Sequence, residues 1–221
     1  DAWEDIIPSN QIIFYNFVSN FLKEINDKPS VLGIDIAGGA ILFFMKNLFK
    51  QKGKDNYELK AFIQEAKFYN DLYDICQGQV ICDRIEHFMG SFIEDKFDNI
   101  FIGKYINNYN NYNSIIKSSI EKLKVNGVIV FMLKNIFDIT ALLKRLEESN
   151  SNQNFINIDP EQIEVLCSSY ANIKIEFYEI KHNEVEDYYK EKLEILLQSG
   201  LVNTNSRLLI DKYLVVIKKY I

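Results

Sequence analysis

The sequence has little glycine, proline, cysteine and arginine. Its 221 residues include 9 Gly, 3 Pro and 3 Cys, and its arginines are Arg84, Arg145 and Arg207. Collagen-like and Pro/Gly-rich disordered classes are thereby excluded. Cys76, Cys82 and Cys167 leave one cysteine over and form no C-x-x-C pair, which argues against a disulfide framework or a zinc site and makes a reducing, cytoplasmic setting the default. The longest apolar runs, such as Ala40–Met45 and Val128–Leu133, are too short to span a bilayer, and no signal peptide is visible. Basic residues are outnumbered: 25 Lys+Arg stand against 31 Asp+Glu, a formal charge of -6. That balance argues against a dedicated nucleic-acid binder, which usually shows a basic face. No metal-ligand cluster is present either.

What is there is apolar and aromatic. Hydrophobic residues make up 48% and aromatic ones 14%, enough for a sizeable core in one domain of this length. Residues 1–29 read as an entry helix, with Ile12, Ile13, Phe17, Phe21 and Leu22 at helical spacing and Pro29 closing it. Strand-like runs then alternate with helical ones. The expected strands are 31–36, 57–63, 79–83, 98–103, 128–133, 173–180 and 213–217. The expected helices are 41–50, 66–73, 115–123, 138–148, 160–170 and 185–197. Asp159-Pro160-Glu161 forms an N-cap with Pro at the first helical position. Asn126-Gly127, between a helix and a strand, reads as a helix cap. This order predicts an α/β, Rossmann-like, seven-stranded, mostly parallel sheet with helices on both faces and an antiparallel last strand. It fits a single domain over 1–221, with a first half at 30–135 that carries the glycine-containing strand end and a closing half at 136–221.

In an open parallel sheet, ligands bind outside the carboxyl ends of the strands where strand order reverses. The first strand ends in Asp35-Ile36-Ala37-Gly38-Gly39 directly before a helix, which suits either a ligand loop or a tight turn. Gly33, Gly38 and Gly39 miss the G-x-G-x-x-G register, and neither G-x-x-x-x-G-K-[ST] nor G-x-S-x-G occurs. Dinucleotide binding, P-loop chemistry and α/β-hydrolase chemistry are therefore disfavoured.

Four segments, in order, resemble the class I S-adenosylmethionine-dependent methyltransferases. Val31–Gly39 is similar to the first strand and glycine loop, often V-L-D-I-G-C-G-x-G. Gln79–Glu86 resembles the third strand, whose terminal acid faces the adenine. Glu94–Gly103 resembles the E-x-F-D-x-I entry to the fourth strand, and Leu123–Phe131 the L-K-P-G-G turn into the fifth. The resemblance implies S-adenosylmethionine as cofactor. It implies cofactor contacts from Asp35, Ala37, Gly38, Gly39, Asp83, Arg84 and Gly103, and from Gln64 or Glu65 as the ribose-binding position. Where many relatives carry L-E-H after the fourth strand, this chain has Gly103-Lys104-Tyr105-Ile106-Asn107-Asn108. Tyr105, Asn107 and Asn108 are the expected substrate-binding residues, with Tyr109 and Tyr112 at the mouth. Asn cannot act as a general base at neutral pH, but methyl transfer needs mainly in-line positioning.

The first glycine loop departs from the family pattern. Gly33 stands where the family has its acid, and Asp35 and Ala37 stand at its first two glycines. The histidines are His87, expected near the cofactor side, and His182. The implied activity is methylation of a small-molecule or glycan-type acceptor, with no nucleic-acid or membrane partner. The alternative is an inactive methyltransferase-like binding or scaffold domain of a larger protein. The sequence leaves oligomeric state open.

Overall fold

The computed structural model describes residues 26–135, 138, 156–181, 194–195, 198 and 210–221. Most of the expected entry helix and of the expected helices at 138–148 and 185–197, together with His182, lie outside the described residues.

The described strands are β1 (Ser30–Ile34), β2 (Glu58–Ile63), β3 (Val80–Cys82), β4 (Phe97–Ile102), β5 (Leu123–Lys134), β6 (Ile173–Lys181) and β7 (Ile210–Lys219). They form one seven-stranded sheet in the order β3-β2-β1-β4-β5-β7-β6. β1, β2, β3, β4 and β5 pair in parallel. β7 runs antiparallel to both its neighbours, β5 and β6. The fold class expected from the alternation of apolar runs is the one observed.

The described α-helices include α1 (Ala40–Gln51), α2 (Tyr69–Ile75), α3 (Tyr112–Glu121) and α4 (Pro160–Cys167). Successive strand residues point to opposite faces, so each strand feeds two cores. Val31, Ala61, Ile63, Phe101 and Val130 pack with Leu42, Met45 and Phe49 of α1 and Leu72 of α2. Leu32, Ile34, Phe62, Ile100 and Ile129 pack with Ile116 and Ile120 of α3 and Ile163 and Cys167 of α4. Covering both faces explains why β1 and β4 are buried at every position.

Local chemistry sets the element ends. Asp159 caps α4 by accepting the amide of Gln162 at 2.8 Å, while the Gln162 side chain accepts the Asp159 amide at 2.9 Å. Asn126-Gly127 does not cap a helix. α3 stops at Glu121, and Asn126 lies inside β5 with φ 63°. Pairing with β4 jumps there from Phe97–Leu123 to Asn99–Val128, so the dipeptide forms a bulge. A Cβ on Gly127 would come within 2.9 Å of the Lys124 carbonyl oxygen.

At the amino ends of the strands, buried Asp98 ties three elements together. Its carboxylate accepts the amide and hydroxyl of Ser30 at 2.7 and 2.9 Å and Lys124 Nζ at 2.8 Å. It also accepts the Asn26 side-chain amide. The acid of the E-x-F-D-x-I segment is thus a clasp at the sheet's lower edge, far from the carboxyl ends.

Candidate active site

β1 lies between β2 and β4, and the chain leaves these neighbours in opposite directions. That reversal opens a crevice at the carboxyl ends of β1 and β4. Backbone bonds hold the strand ends in register: the Asp35 amide donates to the Phe62 carbonyl at 2.8 Å, and the Gly103 amide to the Ile34 carbonyl at 2.7 Å. A Cβ on Gly103 would overlap the Asp35 carbonyl oxygen and approach Ile36 Cα to 2.5 Å. Gly103 therefore serves close backbone approach under the crevice floor.

The loop after β1 keeps a glycine-loop conformation with other residues in it. Asp35 has φ 49°, Ala37 φ 46° and Gly39 φ 80°. These are left-handed values at the two positions where the resemblance expects glycine and at the one where glycine is retained. For a non-glycine residue such a backbone is strained by ~1–2 kcal/mol, less for Asp. Gly39 starts α1 without a side-chain cap. Its missing Cβ makes room for Leu72 and Ile75 of α2, the nearest atom standing 2.5 Å away, so this glycine serves helix packing. Gly38 is exposed, and a Cβ there would meet nothing within 4 Å.

Asp35 is the hub of the crevice. Its side chain is 2% exposed. One carboxylate oxygen accepts the Gln64 amide at 2.8 Å. The other accepts Gln64 Nε2 at 2.5 Å and the Tyr109 hydroxyl at 3.1 Å. Tyr109 is buried, and burial together with the Asp35 charge holds its phenol well above its ordinary pKa. Asp35 thus joins the end of β2 to the turn after β4.

Two clefts flank this hub. One, of about 220 Å³, is lined by Asp35, Ala37, Ile63, Glu65, Lys67, Phe68 and Lys104. The other, of about 380 Å³, includes Gln64, Ile85, Glu86, Lys104, Asn108 and Tyr109 in its wall. Lys104 belongs to both. Its Nζ lies 3.2 Å from Glu65 and 3.9 Å from Asp35. Glu65 also pairs with Lys67 at 2.6 Å. The bonds from Lys67 and then Lys104 lower the Glu65 carboxyl pKa below its ordinary value.

The expected site residues separate into distinct environments. Asp35, Ala37, Glu65, Gln64 and Asn108 line one cleft or the other, with Gly103 beneath them and Gly38 beside them. Asp83 and Arg84 stand exposed at the end of β3, outside both linings. Asp83 accepts the Arg84 amide at 2.7 Å and approaches His87 Nδ1 at 3.0 Å, and these contacts lower its pKa. His87 likewise lies outside both linings. Tyr105 is half-buried on the α1 side of the sheet and accepts from Lys212 Nζ at 3.4 Å. Asn107 is fully buried. Its oxygen accepts the Lys134 amide at 2.8 Å, and its nitrogen donates to the Ile156 carbonyl at 3.1 Å. The side chain of Asn107 is thus spent on joining β5 to the segment before α4.

Sequence reasoning passed over Lys67, Phe68, Glu86 and Lys104. Lys104 had a usable signal, because it directly follows the last glycine of the strand that borders the reversal point. The others come from the turns after β2 and β3, which carry no spacing signature. Among the described residues, no cluster of His, Cys, Asp and Glu is arranged to hold a metal ion. No described helix is long and apolar enough to cross a membrane.

No family model matches the sequence, and no curated protein matches it. Solved structures do match. A SAM-dependent methyltransferase from Archaeoglobus fulgidus is 16% identical, covers 98% of both chains and superposes with a TM-score of 0.56. The plantazolicin methyltransferase BpumL, solved with a triazolic desmethylPZN analog and SAH, is 14% identical with a TM-score of 0.60. That match covers 93% of this chain and 82% of BpumL. Phosphoethanolamine N-methyltransferase 2 of Haemonchus contortus, solved with S-adenosyl-L-methionine, is 13% identical, covers 93% of this chain and 52% of its own, and gives a TM-score of 0.56.

The fold is that of the class I S-adenosylmethionine-dependent methyltransferases. Within this fold, the crevice between β1 and β4 is the topological switch point, and Asp35, Glu65, Lys67 and Lys104 are the charged residues of its smaller cleft.

Proposed function

We propose that this chain is a cytoplasmic S-adenosylmethionine-dependent methyltransferase, carried by one domain, that acts on a small-molecule or glycan-type acceptor. The observation that carries the reading is the pair of clefts meeting at the switch point of a methyltransferase fold.

The residues present fit the cofactor. Space is open above Gly38 at the uncapped start of α1, where helix amides favour an anionic group such as the methionine carboxylate. At the end of β2 the sequence leaves Gln64 and Glu65 as alternatives for the ribose hydroxyls. Gln64 is committed to Asp35, whereas Glu65 presents a half-exposed carboxylate with acceptor lone pairs to spare. Glu65 is therefore the ribose-binding residue in this reading. In this reading the adenine lies toward the end of β3, where Ile85 and Glu86 belong to the wall of the larger cleft and Asp83 and Arg84 stand exposed just outside it.

When bound, S-adenosylmethionine would supply an electrophilic methyl group on a sulfonium. The chain's part is to hold the acceptor in line with that group and to exclude water. No general base is required of Asn107 or Asn108. The net negative charge of the chain and the modest clefts support a small acceptor over a nucleic acid.

Calorimetry and thermal shift with S-adenosylmethionine and S-adenosylhomocysteine test the reading. Saturable binding of either, lost in Gly38→Arg without loss of the folded state, is expected. Gly39→Arg is a poor probe, because its side chain would first collide with Leu72 and Ile75. No heat and no shift at millimolar ligand would leave a methyltransferase-like scaffold and overturn the proposal.

A further inference from the structure

The two edges of the sheet are unlike. β3, at one edge, has three residues, too short to offer much of a template for another strand. β6, at the other, has nine and pairs only with β7 among the described strands. From Ile173 to Ile180 its register with β7 is unbroken, and the stretch contains no proline. The Tyr220 amide donates to the Asn172 carbonyl at 2.8 Å, so the even-numbered residues of this segment turn their main-chain groups toward β7. Alternation turns those of Ile175 and Phe177 the other way, to an edge that no described strand occupies. On the face that carries α4, that edge is flanked by half-buried Ile173, Ile175 and Phe177. On the opposite face Lys174 and Glu176 pair with each other at 2.6 Å, both in contact with solvent.

We infer that β6 is the contact between two copies of this chain, paired antiparallel about a twofold axis at Ile175. The order of side chains selects both the partner and the register. With the axis at Ile175, Ile173 stands opposite the partner's Phe177, Lys174 opposite the partner's Glu176, and Ile175 opposite its own counterpart. Each apolar residue then meets an apolar one and each charge its opposite, twice over by symmetry. The outward N–H and C=O of Ile175 exchange both bonds with their symmetry mates, the hydrogen-bonded pair of an antiparallel ladder. Moving the axis one residue in either direction sets Lys174 or Glu176 against itself, which like-charge repulsion disfavours. Charges that would repel an arbitrary strand thus become complementary when the second strand is another β6. The crevice between β1 and β4 stays open in the pair, because β5 and β7 separate it from β6. The inference is independent of the function proposed above.

The test is analytical ultracentrifugation of the full chain across a concentration series. An edge pairing this short lies at the weak end of specific interfaces, so a monomer–dimer equilibrium with Kd of about 10–100 µM is expected. Lys174→Glu sets acid opposite acid at both symmetric positions and should weaken the dimer about tenfold. Adding Glu176→Lys to it reverses both charges and should return Kd to within about threefold of wild type, which separates pairing from any loss of fold. Register is tested by cross-linking in a Cys82→Ser background, where the remaining cysteines, Cys76 and Cys167, are buried. Ile175→Cys should form an inter-chain disulfide on mild oxidation, since hydrogen-bonded antiparallel pairs hold their Cα atoms about 5.5 Å apart, and Ile173→Cys should not. A wild-type chain that stays monomeric throughout the series overturns the inference. So does a dimer that Lys174→Glu leaves unchanged, because its contact then lies elsewhere on the surface.

Discussion

The Tyr109 hydroxyl donates to the Asp35 carboxylate at 3.1 Å, across 74 positions of sequence. The bond ties the loop after β1 to the turn after β4, the two segments that border the switch point. Removing the hydroxyl in Tyr109→Phe should cost about 1–2 kcal/mol, because a buried carboxylate loses a donor while Gln64 continues to serve it. Urea denaturation of the variant would measure this. A cost near zero would show that the bond contributes nothing net.

The same phenol predicts a pH dependence. Its folded-state pKa is raised, by burial first and by the Asp35 charge second. The stability it contributes is fully present below the ordinary tyrosine pKa near 10 and is lost as pH rises toward the folded value. Thermal melts of the wild-type chain above pH 10 should fall more steeply than those of Tyr109→Phe, and equal slopes would contradict the assignment.

Ala37 adopts φ 46° without any side-chain hydrogen bond to compensate for it. Ala37→Gly should therefore stabilise the fold by ~0.5–1 kcal/mol, the relief of left-handed strain less the extra freedom glycine has when unfolded. Asp35→Gly would relieve similar strain but should be net destabilising, since it strands Tyr109 and Gln64. Opposite signs in the two melting temperatures are the expected result.

Two glycines at the crevice, Gly103 and Gly38, offer a paired control on it. Gly103→Ala places a methyl group against the Asp35 and Ile36 backbone, which cannot yield as a flexible side chain can. It should cost ~3 kcal/mol or more, in the range of severe overpacking. Gly38→Ala meets nothing within 4 Å and should leave stability within ~0.5 kcal/mol of wild type. Comparable losses in both would contradict this account of the loop.

Asp98 predicts an effect remote from the crevice. Asp98→Ala would leave Ser30 and Lys124 without their shared acceptor and should cost ~3 kcal/mol, while any nucleoside affinity is kept in the fraction that folds. A variant of full stability but lost affinity would instead move Asp98 into the site.

Much of the fold was legible locally. Apolar runs such as Val31–Ile34 and Ile100–Ile102 are buried on both faces, so no alternation was needed to recognise them as central strands. The Asp159 cap was legible because a capping box is a contact across three residues. Asn126-Gly127 was misread because its role depends on pairing with β4, a partner some 30 residues earlier. In the crevice, Asp35 stood out by its place at the end of the first strand, while Gln64 and Glu65 remained alternatives at the end of the second. The commitment of Asn107 to Lys134 and Ile156, and of Gln64 to Asp35, involves partners that no spacing rule connects.

The sequence by itself determined the alternation of strands and helices, and hence a mostly parallel sheet covered on both faces, with polar residues gathered at the strand carboxyl ends. These follow from periodicity and apolar burial, which act over a few residues. Only the tertiary structure decided which of the polar residues at that end remain available. Hydrogen-bond saturation is a property of three-dimensional neighbours: Asp35 is filled by residues 29 and 74 positions away, while Lys104 is drawn between two acids from different strands.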